Sequence, residues 1–394
     1  MNKIYQVLLI GGGASNLFSA CYLSDNFPKG SIVIVEKLQR VGKKLIATGN
    51  GQCNLTNSNI DLSRYYSADK NFFKYALTEY GNQSFEKFLK SIGIYLTGDG
   101  KRYPVSYEAN SVLDLIREKL SSNGVSVFTE NTVTEIKYKN GVFSVVTDKQ
   151  TLLAKKVIFG CGGKSQKQFG TDGTAYSLLT ALGHTVTDLT PALVQLKTDT
   201  KTIKGLHGIK CDAVVKAFDK KGNLLKSQRS DVLFADYGVS GLGVFQVSGH
   251  LLKENGSYLE LEFLPDIDKN ALKTLLEEKS KSAPYLDKEG LLNGLINKQL
   301  AKKIIAFYPD VITGIKHFKL AVTGSRGFDS SQVTKGGISV SEVNPVTMES
   351  KLVKGLYIVG EVLDVDGDSG GYNLQWAYSS GRCASNAILK ERND

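Results

Sequence analysis

Cysteine, histidine, proline and tryptophan are scarce in this 394-residue chain, at five, four, seven and one. Cys21, Cys53, Cys161, Cys211 and Cys383 are odd in number, far apart, and form no CxxC pair. That excludes a disulfide framework, a structural zinc site and a dithiol redox centre. His184, His207, His250 and His317 are isolated and lack ligand spacing, so no metal is expected. No apolar run approaches the roughly 18 residues of a membrane span. The opening MNKIYQVLLIGGG has a lysine and then apolar residues. Its apolar run is short, ends in three glycines and lacks a small-residue cleavage site, so it does not read as a secretory signal. The expectation is a cytoplasmic protein, in which the sequon Asn54-Leu55-Thr56 is idle.

Blocks of one charge sign are also missing. The net charge is +10, but no five like charges stand together, and residues 266–303 are nearly balanced. A generally solvated basic surface fits this better than a nucleic-acid interface. Neither a nucleic-acid nor a membrane partner is expected, and nothing in the pattern fixes an oligomeric state.

What the chain does have is glycine at the ends of apolar runs. IYQVLLI at 4–10 reads as a buried parallel strand. Gly11-Gly12-Gly13-Ala14-Ser15-Asn16 follows, then LFSACYL at helical spacing, then a second strand within SIVIVEK that ends at Glu36 and Lys37. Gly11 permits the tight turn. Gly13 lets backbone N–H groups of Ala14 and Ser15 approach a diphosphate at the helix start. Glu36 is placed to accept hydrogen bonds from a ribose diol. The third glycine of the GxGxxG pattern is replaced by Asn16, which must cost packing or find a local partner.

Three more segments share this texture. KKLIATGNGQCNLTN at 43–57 reads as a loop of glycines and amides, with Lys44, Thr48, Gly49, Asn50, Gly51 and Asn54 able to meet a cofactor without adding strong charge. KKVIFG runs into Gly162 and Gly163; the Lys164-Ser165 that follows lacks the first glycine of a P-loop, since that position is Ile158. Near the C-terminus, strand LYIVG ends at Gly360 and Glu361. An acidic loop with Asp364 and Asp366 follows, and Gly371, Tyr372 and Asn373 open a helix. An acid after a strand and a positive helix end suit the ribityl chain and the flavin N1–C2=O edge of FAD. No second GxGxxG opens a helix.

The middle differs. Residues 192–264 alternate polar and apolar with a turn at 219–223, which predicts strands in a small barrel or sandwich. Residues 265–309 turn helical, and VTGSRGFDSSQVTKGGIS reads as a return to the first domain. The expectation is an α/β protein: a Rossmann-like domain from 1–190 and 319–394, an inserted β-rich substrate domain at 191–264 and a small helical subdomain at 265–318.

The motifs at Gly11–Asn16, 42–57, 334–339 and 360–381 resemble, over essentially the whole chain, a bacterial family of NAD(P)/FAD-dependent oxidoreductases. That family includes streptococcal aminoacetone oxidase and a reductase of bile-acid metabolism. The resemblance implies a three-domain flavoprotein with one FAD, and Thr334, Lys335, Gly336 and Gly337 are candidates for lining the flavin. Ala235-Asp236 stand where the family has Thr-His. No catalytic acid or base is compelled. The first expectation is oxidation of a small primary amine such as aminoacetone, with O2 as acceptor and H2O2 and ammonia as products. NAD(P)H-dependent reduction of an unsaturated small molecule and an RNA-binding flavoprotein stand as alternatives.

Overall fold

A computed structural model describes residues 3–252 and 256–393. The described chain divides into two compact units, residues 1–189 with 333–394 and residues 190–332.

The first unit is built on a seven-stranded sheet among the described residues. Strand Ile4–Ile10 pairs in parallel with Ile32–Val35 on one side and Thr151–Phe159 on the other. Ser126–Phe128 extends one edge in parallel. The end of Thr151–Phe159 takes Leu356–Ile358 in parallel, while its beginning joins the antiparallel hairpin of Val142–Thr147 and Val133–Lys139. The inner strands are continuous apolar runs because both faces are covered. Val7, Leu8, Leu9, Val33 and Ile34 have no exposed surface, and each buried side chain stabilises by about 1.5–3 kcal/mol.

Helix Ala14–Ser24 follows the first strand, and the long helix Tyr372–Asn393 packs against it. Gly381 makes the approach possible: a Cβ there would fall 2.5 Å from Ser19 Oγ and 2.8 Å from the Ser15 carbonyl. The two serines that face Gly381, Ser15 and Ser19, are both buried.

The second unit is a closed six-stranded antiparallel barrel. Its strands run Leu196–Thr198, Gly238–Ser240, Leu224–Ala235, Lys210–Phe218, Tyr258–Phe263 and Phe318–Ser325, the last pairing with the first. The hairpin at 219–223 turns where expected, with Asp219 Oδ1 accepting from the N–H groups of Lys221 and Asn223.

Three expectations need correction here. Phe318–Ser325 is the barrel's closing strand and the second unit extends to Gln332, so 319–332 does not belong with the nucleotide-binding unit. The helices Lys269–Ser282, Lys288–Leu292, Lys298–Phe307 and Val311–Lys316 are no separate subdomain. Leu272, Leu292, Leu300, Ile304 and Ile315 share one core with barrel residues Val215, Phe234, Phe263 and Phe318. Within the presumed all-β stretch, Leu242–Leu251 is a helix. It is buried nearly all round, so it lacks the polar stripe that marks a surface helix.

Candidate cofactor site at the carboxyl ends of the parallel strands

The first strand's glycine turn delivers the chain to helix Ala14–Ser24. Its N-cap is Gly13; no side chain caps it and no acid lies in its first turn. The positive helix end is therefore open to an anion, as a diphosphate requires. Glu36, from the next strand, lies against this turn. Its Oε2 accepts from Gly12 N–H at 2.6 Å and its Oε1 from Leu38 N–H at 2.8 Å. Burial pushes the Glu36 carboxyl above its usual value, opposed by those two hydrogen bonds.

Asn16 does find a local partner. Its Nδ2 donates to the Ile10 carbonyl at 2.7 Å and the Gly11 carbonyl at 2.8 Å. The side chain thus ties the helix to the end of the first strand, where the usual glycine would bring them together by being small.

The stretch at 43–57 is only partly a loop. Lys43–Ala47 is a short helix, followed by a tight turn at Thr48–Gly51 with Gly49 and Asn50 in the left-handed region. Lys-Lys-Leu-Ile-Ala consists of good helix formers, which the glycines and amides behind it obscure. The tip at Gly49, Asn50 and Gly51 is exposed, and Thr48 Oγ1 donates back to the Leu45 carbonyl at 2.7 Å. Asn54 is turned inward. With its amide set to satisfy both ends, it donates to the Thr56 carbonyl at 3.0 Å and accepts from Gly371 N–H at 3.1 Å. Gly371 itself has φ +96°, and a Cβ there would lie 2.3 Å from the Thr56 oxygen. The amide-rich segment is thereby locked to the start of the final helix.

Lys44 reaches the C-terminal segment as well. Its Nζ lies 2.8 Å from Glu361 Oε2. The other oxygen, Oε1, accepts from Thr334 N–H at 3.0 Å. Thr334 Oγ1 in turn accepts from the N–H groups of Lys164 and Ser165 at 2.7 and 3.0 Å, just after Gly162 and Gly163. Gly336 and Gly337 follow directly on the strand Val333–Lys335; Gly337 N–H donates to Thr187 Oγ1 at 3.0 Å. Gly360 N–H donates to Ser380 Oγ at 3.0 Å, and its carbonyl accepts from Trp376 Nε1 at 3.1 Å. Asn373 pins Gly367 through both its N–H and its carbonyl, at 2.9 and 2.8 Å. Tyr372 is buried, its hydroxyl donating to the Asn59 carbonyl at 3.1 Å.

One set of contacts joins Lys44, Glu361, Thr334 and Gly163, a second joins Asn54 and Gly371, and Gly360 stands against Ser15 of the first helix. All are in one unit, near the carboxyl ends of the parallel strands, where ligands of open α/β sheets bind. Lys37 stands apart, paired with Asp172 at 2.8 Å. A polar cleft of about 870 Å³ lined by Ser58, Asn59, Asp61, Glu79 and Asn82 contains none of the expected residues.

Reasoning from sequence overlooked Arg64, Tyr65 and Tyr66. Tyr65–Tyr66 pairs with Asp366–Gly367, and Arg64 Nε lies 3.3 Å from Asp368 Oδ2. A two-residue strand carries no periodic signal.

The model of the HI0933-like protein Rossmann domain matches residues 5–387. The chain belongs to this family. It is 34% identical over 413 residues to a 3-dehydro-bile acid delta(4,6)-reductase of Clostridium scindens, covering 99% of this chain and 100% of that protein. It is 25% identical over 405 residues to a ribosomal RNA dihydrouridine synthase of Escherichia coli, covering 98% of each. The fold is shared with a 3-ketosteroid-delta4-(5alpha)-dehydrogenase from Rhodococcus jostii RHA1, at TM-score 0.52 and 14% identity over 98% of this chain and 97% of that one. The protein is an FAD-dependent oxidoreductase, and its open helix end, Glu36 and the Asn54–Gly371 lock fit that cofactor. The curated relatives are named as a reductase and a synthase, in place of the aminoacetone oxidase that the motifs first brought forward. Among the described residues, no helix is long and apolar enough to cross a membrane.

Proposed function

We propose that this flavoprotein reduces a carbon–carbon double bond conjugated to a carbonyl in a small ring compound, with NAD(P)H as the electron donor. The observation that carries the reading is the 34% identity to the bile acid reductase, which leaves none of that relative unmatched. The more distant dihydrouridine synthases point the same way. A delta(4,6)-reductase and a dihydrouridine synthase differ in substrate, yet each name describes adding two hydrogens across a ring double bond.

FAD, when bound, supplies the two-electron step between donor and substrate. The protein's residues hold and bias it. The helix start at Gly13 and the Glu36 carboxylate suit the diphosphate and the ribose. The Lys44–Glu361 pair fixes the glycine strand at Thr334 without leaving a net charge. The start of helix Tyr372–Asn393 favours negative charge nearby.

Amine oxidation runs electrons in the opposite direction, from substrate to flavin to O2. Anaerobic stopped-flow absorbance separates the two. The yellow protein is mixed with NADH, NADPH or aminoacetone, and the reduced protein then with a 3-oxo-4-ene steroid or uridine. Bleaching by a nicotinamide and recolouring by an unsaturated ring supports the proposal. Bleaching by aminoacetone, with peroxide released on admitting air, sinks it in favour of the amine oxidase.

A further inference from the structure

The geometry points to Asp366 as an uncharged hydrogen-bond donor to bound FAD, a positioning residue whose proton offsets the charge the cofactor gains on reduction. The inference rests on FAD being held in the first unit and is independent of which substrate is turned over.

Residues 360–371 carry four carboxylates, Glu361, Asp364, Asp366 and Asp368, and the three aspartates are all buried. Glu361 is neutralised by Lys44 at 2.8 Å. Asp368 is neutralised by Arg64 at 3.3 Å and also accepts from the Tyr66 hydroxyl at 3.0 Å. Lys335, from strand Val333–Lys335, is the cation acting on Asp366, and its Nζ stands 5.3 Å from the centre of the Tyr66 ring. Two of the four acids thus have a cation within salt-bridge distance, and Asp366 has none among the described residues. A buried carboxylate in excess of its counter-ions takes a proton rather than remain charged.

Asp366 is the acid on which that excess falls. It is 5% exposed, and its Oδ1 is buried with no hydrogen-bond partner. Burial first, then the charges of Asp364, Asp368 and Glu361, push its carboxyl up to about 7 against the pull of Lys335. Its backbone is fixed: Asp366 pairs with Tyr66, and Asn373 grips Gly367 on both sides. An orphaned buried oxygen on so constrained a strand calls for an outside partner. A metal is not that partner, since among the described residues no group of His, Cys, Asp and Glu could hold one. The partner that the family supplies is FAD, and two candidate segments for holding it, Glu361 and the Gly371 helix start, flank Asp366 along the chain.

Two-electron reduction that takes up fewer than two protons leaves negative charge on the cofactor. A neutral acid alongside meets that charge with an O–H donor. An ionised Asp366 would oppose it, so above neutrality reduction must draw a proton onto this carboxyl. The atoms balance without any new bond to carbon: two electrons come from the reductant and one extra proton comes from solvent to Asp366.

The test is potentiometric titration of the FAD-loaded protein with dithionite, followed by flavin absorbance at several pH values on both sides of neutrality. The wild type is expected to show a bend near pH 7, above which one further proton accompanies each two electrons. Asp366→Asn is expected to lose the bend and Asp366→Glu to keep a displaced one. A wild-type line without a bend, or a bend that persists unchanged in Asp366→Asn, overturns the assignment. Should Asp366→Asn not fold, an unmoved bend in Asp366→Glu overturns it equally.

Discussion

Lys44 Nζ lies 2.8 Å from Glu361 Oε2, and 317 residues of chain separate the two. Both side chains are about four-fifths buried, at 21% and 20% exposure. Removing one charge strands the other, and Glu361→Ala also leaves the Thr334 N–H without its acceptor. Each single alanine variant is expected to lose roughly 1–3 kcal/mol. The double variant should lose less than the sum, by about 1 kcal/mol. Urea unfolding of the four proteins checks the coupling, and additive losses would show the pair to be idle.

Gly371→Ala places a methyl group against the Thr56 oxygen in a backbone conformation that alanine avoids. A loss of about 2 kcal/mol or more is expected. Because Asn54 accepts from the same N–H, FAD retention on gel filtration should fall together with the melting temperature.

Asn16 reverses the usual expectation for the third motif glycine. Asn16→Gly restores the familiar pattern, yet it removes the side-chain donor from the Gly11 carbonyl and from the Ile10 carbonyl, which keeps only the Gly160 N–H and the Cys161 thiol. Destabilisation of roughly 1–3 kcal/mol follows. Calorimetry showing an unchanged or raised melting temperature would contradict this.

The buried acid also makes stability depend on pH. The folded Asp366 carboxyl sits at about 7 against an ordinary 3.8. Between those values the folded state holds a proton that the unfolded chain has released. The contribution is therefore full below about pH 4 and is lost as pH rises to about 7, on the order of a few kcal/mol. Asp366→Asn should gain on the wild type as pH rises through that window. Denaturant midpoints at about pH 5 and about pH 8 measure it, and parallel behaviour would refute it.

His184 gives the opposite slope. It is buried between Ser350 and Glu342, at 2.9 and 3.1 Å. Burial lowers its pKa, against the hydrogen bond and charge of Glu342, which raise it. Its contribution is present above the unfolded value and lost as pH falls below it. His184→Gln should flatten that acid limb, as seen in thermal melts.

Those features that the sequence announces are local. The apolar strand at 4–10, the glycine turn, Glu36 and the final helix need only neighbouring residues to be read, and they stand where they were expected. Lys44 and Glu361 each stand out in the sequence, but nothing local says that they meet. Asn16 reads as a departure, while its two carbonyl partners become visible only once strand and helix are placed. Leu242–Leu251 escaped because a helix buried all round has no polar face. Phe318–Ser325 reads as a strand anywhere, and sequence does not say which sheet it closes.

That closing strand makes the second unit's ends neighbours, since Leu196 pairs with Ser325 and Lys197 with Gly324. A chain segment of well over a hundred residues thus departs and comes back at one place. For the nucleotide-binding unit, its entropic burden is closer to that of a short surface loop than its length suggests. Such a segment is a cassette. It can lengthen or shorten with little change in the chain entropy that the first unit must bear.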